Sequence, residues 1–168
     1  MLPTGPLVFV GYRIDYGGES DLLSQKLKLD LGARGVTLQR GADRSPAGEM
    51  IEAHVFPDIE RSDGLMLLWS APARTSAWVN AEYTYARSIG RRICLLQFPG
   101  VDPPDEWPPG LKRVKLRGVS YSSLTVDGKT RLSTTEPSYG ELLAELAEFA
   151  YRAMSFKRGV ELPPWLST

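Results

Sequence analysis

The chain has 168 residues, 42% hydrophobic and 24% charged, and its twenty basic residues balance twenty acidic ones. That length suits one compact domain hiding roughly 70% of its extended surface on folding, and the composition excludes wholesale disorder. Zero net charge excludes a global field that steers nucleic acid or anionic membrane, so neither is expected as a partner. One cysteine, Cys94, excludes an internal disulfide framework, and one histidine, His54, excludes a two-histidine metal site. No basic leader, cleavage site or run of roughly 18 apolar residues is visible at the N-terminus, so the expected compartment is the cytoplasm.

Short apolar runs alternate with stretches of helical period. Leu7-Val8-Phe9-Val10 closes at Gly11, as a strand buried on both faces does. Gly17-Gly18 break the chain, and Leu23, Leu27 and Leu31 then recur at helical spacing until Gly32. Val36-Thr37-Leu38 is a short second strand, and residues Gly41 to Gly48 have a loop composition. Glu49 to Arg61 follows helical period, with Pro57 expected to end or kink it near Phe56. Leu65 to Trp69 is a third apolar strand, followed by a Ser-Ala-Pro turn and a helix from Trp78 to Ile89. Ile93 to Leu96 is a fourth strand, and the five prolines between Pro99 and Gly110 demand an irregular loop. Val114 to Leu116 reads as a short edge strand, and Asp127-Gly128 as a hairpin tip. The last helix, from about Ser138 to Phe156, buries Leu142, Leu146, Phe149 and Ala153.

Alternating strands and helices, with strands apolar on both faces, predict an α/β fold. The expected architecture is a flavodoxin-like, doubly wound three-layer sandwich around a mostly parallel five-stranded sheet. Residues 1–157 form the expected domain, and residues 158–168 a tail or linker.

Ligands of such sheets gather at the carboxyl ends of the strands. That rule selects Tyr12 and Arg13 after the first strand, residues Arg40 to Gly48 after the second, and Ser70 to Trp78 after the third. Trp78 and Glu82 stand four residues apart on one helix and share a face. A carboxylate beside an indole at that edge suits a pocket. Ser70 reads equally as a turn cap or a substrate contact. His54 suits a surface or packing role and Cys94 a buried packing role, and the alternating Lys112, Arg113, Lys115 and Arg117 suit a charged strand edge that discourages aggregation.

These residues carry a resemblance. VFVGYRIDY resembles the first signature of a Toll/interleukin receptor (TIR) domain, and Asp63 to Ser70 resembles that family's third strand. Trp78-Val79-Asn80-Ala81-Glu82 is similar to its W-x-x-x-E helix. Order and spacing hold over roughly residues 7 to 98. The chain differs from the family pattern at Ile14, where a second arginine is common. It differs again at Gly41, where an aspartate is common and Asp43 follows two residues later.

The resemblance implies an enzyme that consumes NAD⁺ as substrate and carries no bound cofactor. It cleaves the nicotinamide–ribose bond to give ADP-ribose or a cyclised isomer, often as an immune signal. Glu82 maps onto the family's catalytic glutamate. A carboxylate suits an oxocarbenium-like ribose, since nicotinamide leaves without protonation. Trp78 would then wall the ribose, Tyr12 stack on a flat ring and Arg13 meet a phosphate, with Asp43 and Ser70 as further contacts. The family also implies self-association through the loop Arg40 to Gly48, or contact with other TIR or sensor domains. A second reading is a non-catalytic TIR assembly module. A third is a nucleoside deoxyribosyltransferase-like enzyme, which also works with a glutamate in a flavodoxin-like sheet.

Overall fold

A computed structural model describes residues 4–13, 18–40, 55–105, 111–116, 122–126, 129–133 and 137–166. The chain order is β1 (Leu7–Gly11), α1 (Glu19–Gly32), β2 (Thr37–Arg40), α2 (Phe56–Arg61), β3 (Gly64–Trp69), α3 (Ala71–Arg74), α4 (Ala77–Ser88), β4 (Arg92–Gln97), β5 (Lys112–Lys115), β6 (Ser122–Val126), β7 (Lys129–Ser133) and α5 (Pro137–Arg158), closed by a short 3₁₀ turn at Pro164–Leu166. Strands β2-β1-β3-β4-β5 form one five-stranded sheet, and every pairing in it is parallel. With helices on both faces, this is the flavodoxin-like three-layer sandwich that the alternation of runs predicts.

The two-residue period of the strands divides the core. Val8, Val10, Tyr12, Met66, Leu68, Cys94 and Leu96 pack with α1 and α5. Phe9, Leu65, Leu67, Trp69, Ile93 and Leu95 pack with residues of α2, α3 and α4. Both faces of β1, β3 and β4 are therefore apolar, and each fully buried Leu or Ile contributes about 1.5–3 kcal/mol. Burial pushes the Cys94 thiol up to about 12, so it is an inert part of this core.

Pro57 stands in the first turn of α2, where its missing N–H costs nothing. The helix expected upstream of it, residues 49–54, lies outside the described residues. The Ser-Ala-Pro turn is a one-turn helix, α3, and β2 runs to Arg40, two residues beyond the expected strand. β6 and β7 pair antiparallel with Val126 opposite Lys129 and form a separate two-stranded sheet with β7 beside α1, and the expected tip at residues 127–128 lies outside the described residues.

At the amino end of the sheet, Asp63 is 1% exposed and accepts from the Leu7 N–H at 2.8 Å. Arg158, the last residue of α5, grips the same carboxylate through Nε at 2.8 Å and Nη2 at 2.6 Å. The residues beyond α5 fold back on it: Leu166 is buried, and Trp165 meets Tyr151 edge-on at 5.2 Å. Ser155 donates to the Val160 carbonyl, and Arg152 to that of Leu166. Among the described residues, no helix is long and apolar enough to cross a membrane.

Candidate functional site

At the carboxyl edge, two serines start the helices that follow β3. Ser70 Oγ accepts from the Ala73 N–H at 3.2 Å and Ser76 Oγ from the Val79 N–H at 3.3 Å. Each satisfies a donor that a helix start leaves open. α4 begins one residue after Ser76, so Trp78 lies in its first turn and Glu82 one turn later. Trp78 is half-buried against the Phe9–Leu67–Trp69 cluster. Phe56 of α2 stacks on Tyr85 of α4 at 4.1 Å, which fixes the roll of α4 on the sheet.

That roll buries Glu82, which is 1% exposed. Its carboxyl group lies against the end of β1, where Gly11 pairs with Leu67. Burial pushes its pKa well above the usual carboxylate value, and no charged partner among the described residues offsets that effect. An ordinary solvated helix glutamate does neither. A strongly perturbed carboxyl at the ligand edge of a parallel sheet marks a candidate for chemistry.

At the same carboxyl edge opens a cleft of about 760 Å³, within the range of small-molecule sites. Arg13, Ser70, Phe98 and Pro99 line it, together with Glu19 and Ser20 from the start of α1. Its far wall is the loop after β4. Trp69 Nε1 holds that loop by donating to the Asp102 carbonyl at 2.9 Å, and Gln97 Nε2 donates to the Val101 carbonyl at 2.5 Å. A separate groove of about 540 Å³, with Arg92, Lys112, Glu145 and Arg152 in its walls, lies along α5. Among the described residues, no His, Cys, Asp and Glu gather as a metal site.

The sequence-selected residues separate into groups. Ser70 and Arg13 share the cleft wall, and Ser70 also caps α3. Trp78 and Glu82 belong to the α4 layer, and neither is among the residues that line the cleft.

Tyr12 stands apart. One residue past Gly11, it is on the opposite face, 3% exposed in the cluster with α1 and α5. Its hydroxyl donates to Asp21 at 3.1 Å and accepts from Arg40 at 3.3 Å. Arg40 also reaches Asp21 at 3.2 Å and Ser24 at 3.1 Å. As placed, the Tyr12 ring is packed in the core cluster with α1 and α5. Burial raises its pKa, so it stays a phenol. Asp43 and residues 41–48 of the expected assembly loop lie outside the described residues.

Two features escaped the reading of motifs. Asp21, Ser24 and Arg40 form a polar knot with Tyr12 that no local pattern announces. Gly11 was legible as the end of a strand, but a glycine there also marks close approach of another group.

No family model matches the chain, and no curated protein does. Among solved structures, a conserved protein from Enterococcus faecalis V583 is similar, with 15% sequence identity and a TM-score of 0.46. The likeness covers 58% of this chain and 66% of that one.

Proposed function

We propose that the protein hydrolyses NAD⁺ at the nicotinamide–ribose bond, with Glu82 as the catalytic carboxylate. The observation that carries this reading is a carboxyl group buried to 1% exposure at the carboxyl edge of the sheet, with no counter-charge among the described residues. Such a group is held mostly neutral until a cation comes beside it. A pyridinium ring and an oxocarbenium-like ribose are cations of that kind, and in dry surroundings their attraction for a carboxylate is far stronger than in water.

In this reaction nicotinamide departs with the bonding electron pair and needs no proton. Water adds to the anomeric carbon and releases a proton, giving ADP-ribose; capture by a group of the same substrate gives a cyclised isomer. Glu82 would hold the ribose and offset its positive charge, and Trp78 would limit water. Arg13, exposed at the cleft, would meet a phosphate oxygen. Self-association through residues 40–48 belongs to the same proposal, as the means by which concentration raises activity.

The test is chromatographic release of nicotinamide from NAD⁺ over rising protein concentration, with Glu82→Gln alongside. Release should climb faster than linearly and fall at least ~10²-fold in the variant. Because the reactive form is the carboxylate and its pKa is raised, wild-type turnover should increase with pH above the usual glutamate range. Equal rates in the two proteins contradict the assignment of Glu82. Silence at every concentration contradicts the enzyme and favours an assembly module.

A further inference from the structure

Gly11 ends β1 on the face that α4 covers. A Cβ built there would stand 2.6 Å from Glu82 Oε2, 3.1 Å from Glu82 Cδ and 2.7 Å from Leu67 Cδ2. All three are closer than van der Waals contact permits. The backbone does not explain the glycine: the residues of positive φ among the described glycines are Gly35, Gly90, Gly100 and Gly159. What the glycine supplies at this position is space, into which the Glu82 carboxyl and the Leu67 Cδ2 methyl both reach as the ends of their side chains.

We propose that Gly11 is a positioning residue whose missing side chain forms the seat of the Glu82 carboxyl group. α4 delivers the glutamate to the sheet, and Gly11 sets how far it sinks. With any larger residue at position 11, the Glu82 carboxyl and the Leu67 methyl must both withdraw. The seat stands on geometry alone. Its bearing on catalysis rests on the reading of Glu82 as the catalytic carboxylate, since a shift near 1 Å in a reacting group costs on the order of 100-fold in rate.

A double-mutant cycle tests it in the full chain. Gly11→Ala is introduced into wild type, into Glu82→Gln, which keeps the length of the side chain, and into Glu82→Asp, which is shorter by one methylene. The urea midpoint of unfolding should drop on Gly11→Ala in the first two and drop much less in the third. Leu67 Cδ2 is the other obstacle, so the same comparison is run in Leu67→Val, which lacks that methyl. An alanine equally costly, or equally unfolding, whatever occupies position 82 overturns the seat.

Carbodiimide labelling of Glu82, mapped by mass spectrometry, should rise in Gly11→Ala as the carboxyl leaves its seat. Unchanged labelling in a folded variant overturns it too. If wild type releases nicotinamide, Gly11→Ala should lower the rate about 100-fold with Glu82 intact, and an unaltered rate overturns the positioning role. If wild type releases none, the functional reading fails, and the unfolding cycle and the labelling still decide the seat.

Discussion

Two carboxyl groups, Asp63 and Glu82, are each 1% exposed, yet they stand at opposite ends of one sheet in opposite company. Asp63, at the amino end, takes two charge-assisted bonds from Arg158 and one from the Leu7 N–H. Glu82, at the carboxyl end, has its carboxyl group against Gly11, with desolvation raising its pKa. Burying an ionisable group is costly, and a partner with good hydrogen bonds offsets the cost. Asp63 has that partner and fastens the last helix to the first and third strands. Glu82 has no charged partner among the described residues, so folding has little use for its charge. Of the two, Glu82 is the one whose presence asks for a role other than structure.

The comparison breaks most visibly at its paired end. Arg158→Ala leaves Asp63 buried without its cation and should lower unfolding free energy by about 3–5 kcal/mol, read from urea denaturation. A loss under 1 kcal/mol would mean that water replaces the guanidinium and that the two ends differ less than the geometry indicates.

At the other end the sign reverses. Glu82→Gln should raise stability at neutral pH, because the folded-state pKa of Glu82 lies above its unfolded value. The glutamate's stabilising contribution is full below the unfolded value near 4.5 and is lost as pH rises through the raised folded value. Thermal unfolding of both proteins from pH 4 to 8, a range bracketing the roughly 4.3 expected of a free glutamate, should show the variant's advantage growing with pH. An advantage that shrinks as pH rises contradicts the raised value.

Smaller effects sharpen the picture between these ends. Tyr12→Phe removes the hydroxyl bonded to Asp21 and Arg40 and should cost about 0.5–1.5 kcal/mol by denaturation, with no effect on nicotinamide release. A large loss of turnover with intact stability would return Tyr12 to the site. Ser76→Ala removes the cap of α4 and should cost about 1 kcal/mol.

Periodicity made the layers legible, because a strand buried on both faces and a helix with one apolar stripe leave different marks in sequence. Leu7 to Val10 and Leu65 to Trp69 are strands for that reason, and the parallel order follows from the helices between them. The same logic placed Glu82 and Trp78 on one helix at the carboxyl edge. Tyr12 continues the alternation of Val8 and Val10, but alternation does not show that α1 and α5 cover that face or that Asp21 and Arg40 engage its hydroxyl. Pro57 fits the start of α2, because a proline in a first helical turn has no intrahelical N–H bond to lose. The Asp21–Arg40 contact joins residues from different elements, and nothing short-range encodes it.

The most direct test of the account is the titration of Glu82 itself. Carbon-13 NMR of glutamate-labelled protein, with Glu82→Gln to assign the resonance, gives the midpoint of that one carboxyl. A midpoint clearly above 4.5 is the predicted result and fixes Glu82 as a dry carboxyl without a counter-charge. A midpoint at or below that value would show a solvated or cation-paired glutamate and would remove the central reason for assigning it a chemical role.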